Sequence, residues 1–307
     1  MSGPPLEAID ARGATAHAGG WQARLELQFE AAEARTRLAH CRHHGPLLIQ
    51  RIFHPEPPSG DAALAAEPCH VYVLHPPGGV VSGDELQLEV DVQARAHALL
   101  TTPAAGKFYR RSRHSAGEPG GSDARVGRLT QTLRVDGGIL EWLPQENIYF
   151  PETAVQLRTL VRLEAGARFI GWEIGCLGLP ASQASLGEGT VRQSFELWHG
   201  ASPLLLERLH IERACLQSRW GLAGRVALGT WLAFPAASRQ LASARAAAVA
   251  LNCADTTLAC TLVDGVLSCR GYALRADRLK QAFIDLWCVL RPELLGRPAI
   301  TPRIWAT

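Results

Sequence analysis

Residues 84–93 read DELQLEVDVQ, and within this stretch Leu86, Leu88, Val90 and Val92 alternate with polar residues. Successive side chains of a β-strand point to opposite faces, so the alternation predicts a strand with one buried and one solvated face. The same period of two recurs along much of the chain. Further examples lie at residues 25–29, 129–135, 157–163 and 205–211. The sequence therefore predicts a mainly β protein.

A β-hairpin is predicted in the last third of the chain. Asp264-Gly265 joins two alternating runs, residues 257–263 and 266–272. This dipeptide between apolar runs is a strong short-range signal for a hairpin.

Two helices are also predicted there. Apolar residues recur at helical spacing over residues 279–290, a segment that Asp277 can cap and Pro292 should end. Residues 238–251 are rich in alanine and begin with a serine, a good capping residue, which favours a second helix. Strands followed by two late helices, without regular β-α alternation, argue against a doubly wound sheet.

Composition narrows the class of protein. The chain has 307 residues, 47% of them hydrophobic, and a formal net charge of +2, which excludes a disordered or collagen-like chain. Near-neutrality provides no general field for nucleic acid or anionic lipid. No apolar run approaches the ~18 residues that span a bilayer, and residues 1–17 show no secretory signal. We therefore expect a cytoplasmic protein without nucleic-acid or membrane partners.

The domain organisation follows from strand continuity. Strand patterning with similar composition resumes on both sides of the loop-like stretches 54–68 and 112–127. This continuity favours one domain over residues 21–307, preceded by a flexible N-terminus over residues 1–20.

A cluster of metal-ligating residues precedes Gly45. His40, Cys41, His43 and His44 carry imidazole and thiolate groups that suit nickel, copper or zinc. Neighbouring strand residues face opposite ways, so at most half of the cluster can converge on one ion. A strand end and turn is the favoured interpretation. The eight cysteines contain no CxxC pair and no structural-zinc spacing, and we expect them to be reduced.

Four carboxylates are candidates for chemistry. Asp84 follows a glycine-rich turn in which the backbone can approach another group closely. Glu173 lies in a mostly apolar strand pattern, so it requires either a partner, such as Arg168 or Arg192, or a functional reason for burial. Glu141 and Glu146 can form an acid/base pair or belong to the surface, and their spacing does not decide between these roles.

Several segments together resemble one family, the urease accessory protein UreD, also called UreH. They run in the family's order from about residue 21 to the C-terminus. The matching segments are residues 45–51, 69–84, 101–110, 140–146, 169–180, 290–298 and 302–307. Small departures from the family pattern occur at Ser82, Ala104, Gly106 and His54.

The resemblance implies a β-helix-like, many-stranded domain with two α-helices in the C-terminal third. It implies a protein that is not an enzyme and holds no tightly bound cofactor. UreD-like proteins form a complex with UreF and the nickel-carrying GTPase UreG, in which homodimerisation is possible, and bring it to urease apoprotein. Trp287 and Trp305 in the C-terminal segment then offer aromatic anchors for such partners.

Transient contact with Ni²⁺ calls for weak ligands, because several histidines or thiolates would release the ion slowly. We hypothesise that Asp84 and Glu173 line a nickel transfer path, since both lie beside glycines in family-matching segments. One alternative is a β-helical hydrolase or lyase that uses Glu141, Glu146 or Glu173. Another is a stable metalloprotein that uses His40, His43 and His44.

Overall fold

The computed structural model describes residues 20–57, 66–111 and 126–306. Residues 1–19 of the expected flexible N-terminus therefore lie outside the described residues, as do 58–65 and 112–125 of the two loop-like stretches. In chain order, the first strands are β1 (Gln22–Ala32), β2 (Arg35–His44), β3 (Leu48–Phe53), β4 (Cys69–Leu74), β5 (Glu85–Val92), β6 (His97–Thr101), β7 (Gly106–Phe108), β8 (Gly127–Val135) and β9 (Ile139–Trp142). The later strands are β10 (Asn147–Tyr149), β11 (Ala154–Leu163), β12 (Arg168–Leu177), β13 (Thr190–His199), β14 (Ser202–Ile211), β15 (Ala227–Phe234), β16 (Thr256–Val263) and β17 (Val266–Ala273). The helices are α1 (Arg213–Gln217), α2 (Ser238–Leu251) and α3 (Ala276–Leu295).

The chain passes back and forth between two sheets. The first sheet has the strand order β14-β13-β11-β8-β5-β1-β2, and the second runs β16-β17-β15-β12-β9-β6-β4-β3, with β7 and β10 attached beside β12. From β4 to β13 the main strands enter the two sheets alternately, and from β5 onward each pairs in parallel with the strand one coil earlier. This arrangement confirms the β-helix-like, mainly β fold.

The inward-facing apolar residues of neighbouring strands line up in rows that run across the first sheet. Parallel, in-register pairing places Leu27 beside Val90, Val90 beside Leu133, and Leu133 beside Val161. Leu197 on β13 extends the same row, and all five residues are buried between the two sheets. Removal of this surface from water stabilises the coils at roughly 25 cal/mol for each Å² of apolar area.

A second core lies on the other side of the second sheet. There β12, β15 and β17 pack against α2 and α3, and Trp172, Trp231, Phe283 and Trp287 are buried. The even-numbered residues of β12 face these helices, whereas Phe169 and Glu173 face the space between the sheets. Both faces of this strand are therefore buried, which agrees with its mostly apolar sequence pattern.

The structure contains the two long helices that the sequence predicts, but the predicted end of the second helix is wrong. Helix α2 spans the expected residues, but α3 continues through Pro292 to Leu295. Buried Leu294 and Leu295 hold the last turn on the core, although Pro292 cannot donate a backbone hydrogen bond. Gly296, at φ 70°, ends the helix. The short helix α1 was not predicted.

Two local predictions have clear outcomes. Asp264 and Gly265 have φ angles of 49° and 77°, the positive values that a type I′ hairpin turn requires, so the predicted hairpin is confirmed. Asp277 lies inside the first turn of α3 rather than at its cap, where it pairs with Arg275 at 2.8 Å. Among the described residues, no helix combines the length and apolar character needed to cross a bilayer.

Candidate functional site

A cavity of about 260 Å³ opens between the two sheets, beside the short strands β7 and β10. Apolar side chains of β5 and β8 form much of its wall, and residues 102–107 form part of its rim. The polar and charged side chains that line it are His75, Thr102, Lys107, Gln131, Gln145, Asn147 and Glu173. The cavity thus has an apolar wall with a few polar groups and one buried carboxylate.

Glu173 projects from β12 into this space between two neutral donors. The Thr159 hydroxyl on β11 donates to Oε1, and the Gln193 side-chain amide on β13 donates to Oε2. Gln131 Nε2 donates in turn to Thr159 Oγ1 at 3.0 Å. Arg168 is not a partner of Glu173, because it reaches the Leu294 carbonyl at 2.9 Å.

Arg192, the other expected partner, is exposed and forms no ion pair with Glu173 within the described ranges. Both predicted arginine pairings are therefore wrong. The strand pattern explains this outcome: Arg192 alternates with the inward-facing Val191 and Gln193, so its side chain points to the outer surface.

Burial raises the pKa of the Glu173 carboxyl to about 7. The hydrogen bonds from Thr159 and Gln193 favour the charged form and limit the increase, whereas the nearby negative charge of Glu207 adds to it. A carboxyl with this pKa exchanges its proton near neutral pH.

Asp84 has a different position from Glu173. Its Oδ1 accepts the Trp21 N–H and its Oδ2 accepts the Val81 N–H, both at 2.8 Å. Gly20, at φ 123°, packs so closely against the backbone of Gly83 that a side chain at position 20 would clash with it. The carboxylate thus orders the turn that precedes β5, and it is absent from the cavity lining that contains Glu173.

His75 connects Asp84 with the cavity. Its side chain lines the cavity, and its Nε2 has no hydrogen-bond partner within the described part of the chain. Burial lowers the pKa of His75, and the charge of Asp84 acts in the opposite direction. Asp84 therefore influences the cavity through the electrostatics of His75.

Glu141 belongs to a buried charge network on the far side of the second sheet. Its carboxylate accepts hydrogen bonds from Arg291 Nε at 3.0 Å and Trp287 Nε1 at 2.7 Å, and it lies 2.7 Å from His97 Nε2. Burial opposes ionisation of Glu141, but the charge of Arg291 and the contact with His97 hold its pKa well below the ordinary range. This carboxylate is fully buried.

The same network continues through Glu56. Arg291 Nη2 lies 2.6 Å from Glu56 Oε1, and His70 Nε2 lies 2.8 Å from the same carboxylate oxygen. The chain of contacts His70–Glu56–Arg291–Glu141–His97 joins α3 to strands of the second sheet. The sequence does not predict this network, since its members are far apart along the chain and no local pattern marks them.

Glu146 pairs with Lys280 of α3 at 3.1 Å. Glu141, Glu146 and Glu173 therefore have three separate sets of partners, and the structure does not assemble them into the acid/base pair that the hydrolase or lyase alternative needs.

The histidine cluster does not converge on a metal. His40, Cys41, His43 and His44 are all exposed along β2, an edge strand of the first sheet. The nearest carboxylate contact is His40 to Glu26 at 3.9 Å. Across residues 20–57, 66–111 and 126–306, no three His, Cys, Asp or Glu side chains are placed to hold one ion. The favoured interpretation, a strand end and turn, matches this placement.

The predicted aromatic anchors are buried or engaged within the chain. Trp287 is fully buried against Glu141, and Trp305 donates from Nε1 to Thr101 Oγ1 at 2.8 Å. The expectation that Trp287 offers an anchor for partners is therefore wrong, whereas Trp305 is only partly buried. Trp220, after α1, is instead 92% exposed.

Coils shared between two sheets, an interior cavity with one buried carboxylate, and two long helices near the C-terminus define a β-helix-like class of protein. The family model described as UreD urease accessory protein matches residues 22–306. This chain belongs to that family.

Curated relatives align with nearly the whole length of this chain. A urease accessory protein UreD from Alcanivorax borkumensis is 38% identical over 96% of this chain and 95% of its own length. One from Klebsiella aerogenes is 39% identical over 94% of this chain and 97% of its own, and one from Escherichia coli is 39% identical over 94% and 98%.

Proposed function

We propose that this chain is a urease maturation factor. In this role it is a non-enzymatic scaffold and chaperone that docks UreF and the nickel-carrying GTPase UreG onto urease apoprotein and assists nickel insertion. The observation that carries the proposal is the family match from residue 22 to residue 306, supported by relatives that are each named urease accessory protein UreD. GTP hydrolysis belongs to UreG, in keeping with the absence of a P-loop motif from this sequence.

The cavity supports a second part of the proposal, a transfer path for Ni²⁺ past Glu173. The cavity lining offers one carboxylate, that of Glu173, and the side-chain amides of Gln131 and Asn147, which make a weak set of ligands. A weak set favours rapid release to the next partner. Since the Glu173 carboxyl titrates near pH 7, a passing cation competes with a single proton.

Asp84 contributes to the proposed path from outside the cavity wall. Its two backbone hydrogen bonds fix the turn beside Val80, a lining residue, and its charge favours protonation of His75. In this proposal Asp84 positions the wall, and Glu173 contacts the ion.

The experiment combines complex assembly with nickel transfer. The chain is mixed with UreF, UreG and urease apoprotein, the complex is isolated by size exclusion, and nickel bound to urease is measured after addition of bicarbonate and GTP. We expect the wild type to co-elute with its partners. Glu173→Ala and Asp84→Ala should assemble normally but deliver nickel at least several-fold more slowly.

The matched control is Glu164→Gln, which changes an exposed carboxylate far from the cavity lining and should behave as the wild type. Normal nickel delivery by both alanine variants in an intact complex would exclude the path and leave the scaffold proposal in place. Elution of the wild-type chain alone, apart from every partner, would contradict the scaffold proposal itself.

A further inference from the structure

Two cysteines face each other across the β16–β17 hairpin. Cys260 and Cys269 are direct partners in the antiparallel register. From the closing pair Val263 and Val266, hydrogen-bonded and non-hydrogen-bonded pairs alternate, which places the two cysteines at a non-hydrogen-bonded pair. The Cys260 carbonyl accepts a hydrogen bond from Arg245 Nε at 3.3 Å, so it points away from Cys269, as this position requires.

This position has the dimensions of a disulfide. In a non-hydrogen-bonded antiparallel pair the Cα atoms lie about 4.5 Å apart and the two side chains share one face. Disulfides span Cα separations of about 4.4 to 6.8 Å. A bond between Cys260 and Cys269 therefore needs no change of register in the hairpin.

The two thiols are electronically unequal. The pKa of Cys260 is lowered by its hydrogen bond with the Cys269 thiol, and the same contact, together with burial, raises the pKa of Cys269. Burial alone raises the pKa of Cys69 to about 12, and burial with nearby carboxylates raises that of Cys176 to about 11. Of these four thiols, only Cys260 has a lowered pKa, which favours its thiolate form.

Access also favours Cys260 as the first thiol to react. It lies on β16, the edge strand of the second sheet, whereas Cys269 lies on the inner neighbour β17 and is fully buried. Cys260 is itself buried, with its Sγ 3.7 Å from the Ala244 carbonyl of α2, so its oxidation requires a local opening between the helix and the edge strand.

We propose that Cys260 and Cys269 form a reversible intramolecular disulfide in the presence of a peroxide. The Cys260 thiolate attacks one peroxide oxygen, the O–O bond breaks, and the leaving hydroxide takes the thiol proton to form water. Cys269 sulfur then attacks the resulting Cys260 sulfenic acid, which forms the S–S bond and releases the hydroxyl group with the Cys269 proton as a second water. Two thiols and one hydrogen peroxide thus give one disulfide and two water molecules.

The cross-link joins the edge strand to its neighbour beneath α2. Because Cys260 contacts α2 and the hairpin leads directly into α3, oxidation stiffens the surface on which both helices pack. The pair is thus a redox-sensitive modification site, distinct from the interior cavity.

The test uses the full chain, reduced and then exposed to hydrogen peroxide, with free thiols alkylated before digestion. Cleavage before Asp255, Asp264 and Asp277 places Cys260 and Cys269 in separate peptides, which remain joined only by a disulfide. We expect a linked pair of peptides in the oxidised wild type and its loss after treatment with a dithiol reductant. Fluorescence should also change reversibly, because Trp231 is the register neighbour of Cys269 on β15.

Cys260→Ala should leave Cys269 alkylated after oxidation, whereas the control Cys288→Ala, which changes an exposed cysteine of α3, should link as the wild type does. The proposal is overturned if peroxide oxidises the exposed cysteines of the wild type while the Cys260 and Cys269 peptides stay separate and alkylated. A link from either residue to Cys253, which the same cleavage places in a third peptide, would also overturn it.

Discussion

Glu173 titrates near neutrality because the two sheets exclude water from its carboxyl while its neighbours supply only neutral hydrogen-bond donors. An unfolded glutamate has a pKa near 4.5, so between pH 4.5 and about 7 the folded chain holds a proton that the unfolded chain has lost. The contribution of this group to the free energy of unfolding therefore decreases as the pH rises through that window and is constant above it.

The variant Glu173→Gln removes this titration and keeps the side-chain shape. We expect the free energy of unfolding of the variant, relative to the wild type, to increase by about 3 kcal/mol from pH 4.5 to 7. Urea unfolding at a series of pH values measures the difference. The control Glu164→Gln should follow the wild-type profile. Parallel profiles for Glu173→Gln and the wild type would show that Glu173 is ionised throughout this range.

At the residue scale, the sequence predicts that Glu173 is a buried carboxylate, but it does not predict which side chains donate hydrogen bonds to it. Strands β8, β11 and β13 each carry one polar residue on an otherwise apolar inward face: Gln131, Thr159 and Gln193. A single polar residue on the buried face of three strands is a signal for a polar interior site. Only the parallel register, with Thr159 beside Gln131, shows that these signals belong to one site.

At the scale of the element, α3 is held on the sheet by more than its apolar face. Arg291 lies between Glu141 and Glu56, and all three side chains are buried. Removal of one member of such a network leaves uncompensated charge in the core. Tertiary packing also explains why α3 contains Pro292. Burial of the last helical turn offsets the one backbone hydrogen bond that the proline cannot donate.

Arg291→Met should therefore lower the free energy of unfolding by about 3 to 5 kcal/mol. Arg278→Met changes an exposed arginine on the same helix and should stay within about 0.5 kcal/mol of the wild type. Chemical denaturation of both variants makes the comparison. Equal stability of the two would mean that the buried network adds nothing to the attachment of α3.

At the scale of the whole molecule, alternation predicted strands, and the family resemblance supplied their coiled arrangement. Period-two patterning is the same for a sandwich and for a β-helix, because both bury one face of each strand. The difference lies in which strands pair, here β5 with β8 and β8 with β11 in parallel. Such pairings join residues far apart in sequence, so local patterns do not reveal them.

In the proposed function, this chain acts only with partners, to place nickel in urease. The most direct measurement is urease activation from apoprotein, Ni²⁺, bicarbonate and GTP, with UreF and UreG present throughout, with and without this chain. We expect addition of the chain to increase both urease activity and nickel bound per urease several-fold. Equal activation and equal nickel content in its presence and absence would contradict it.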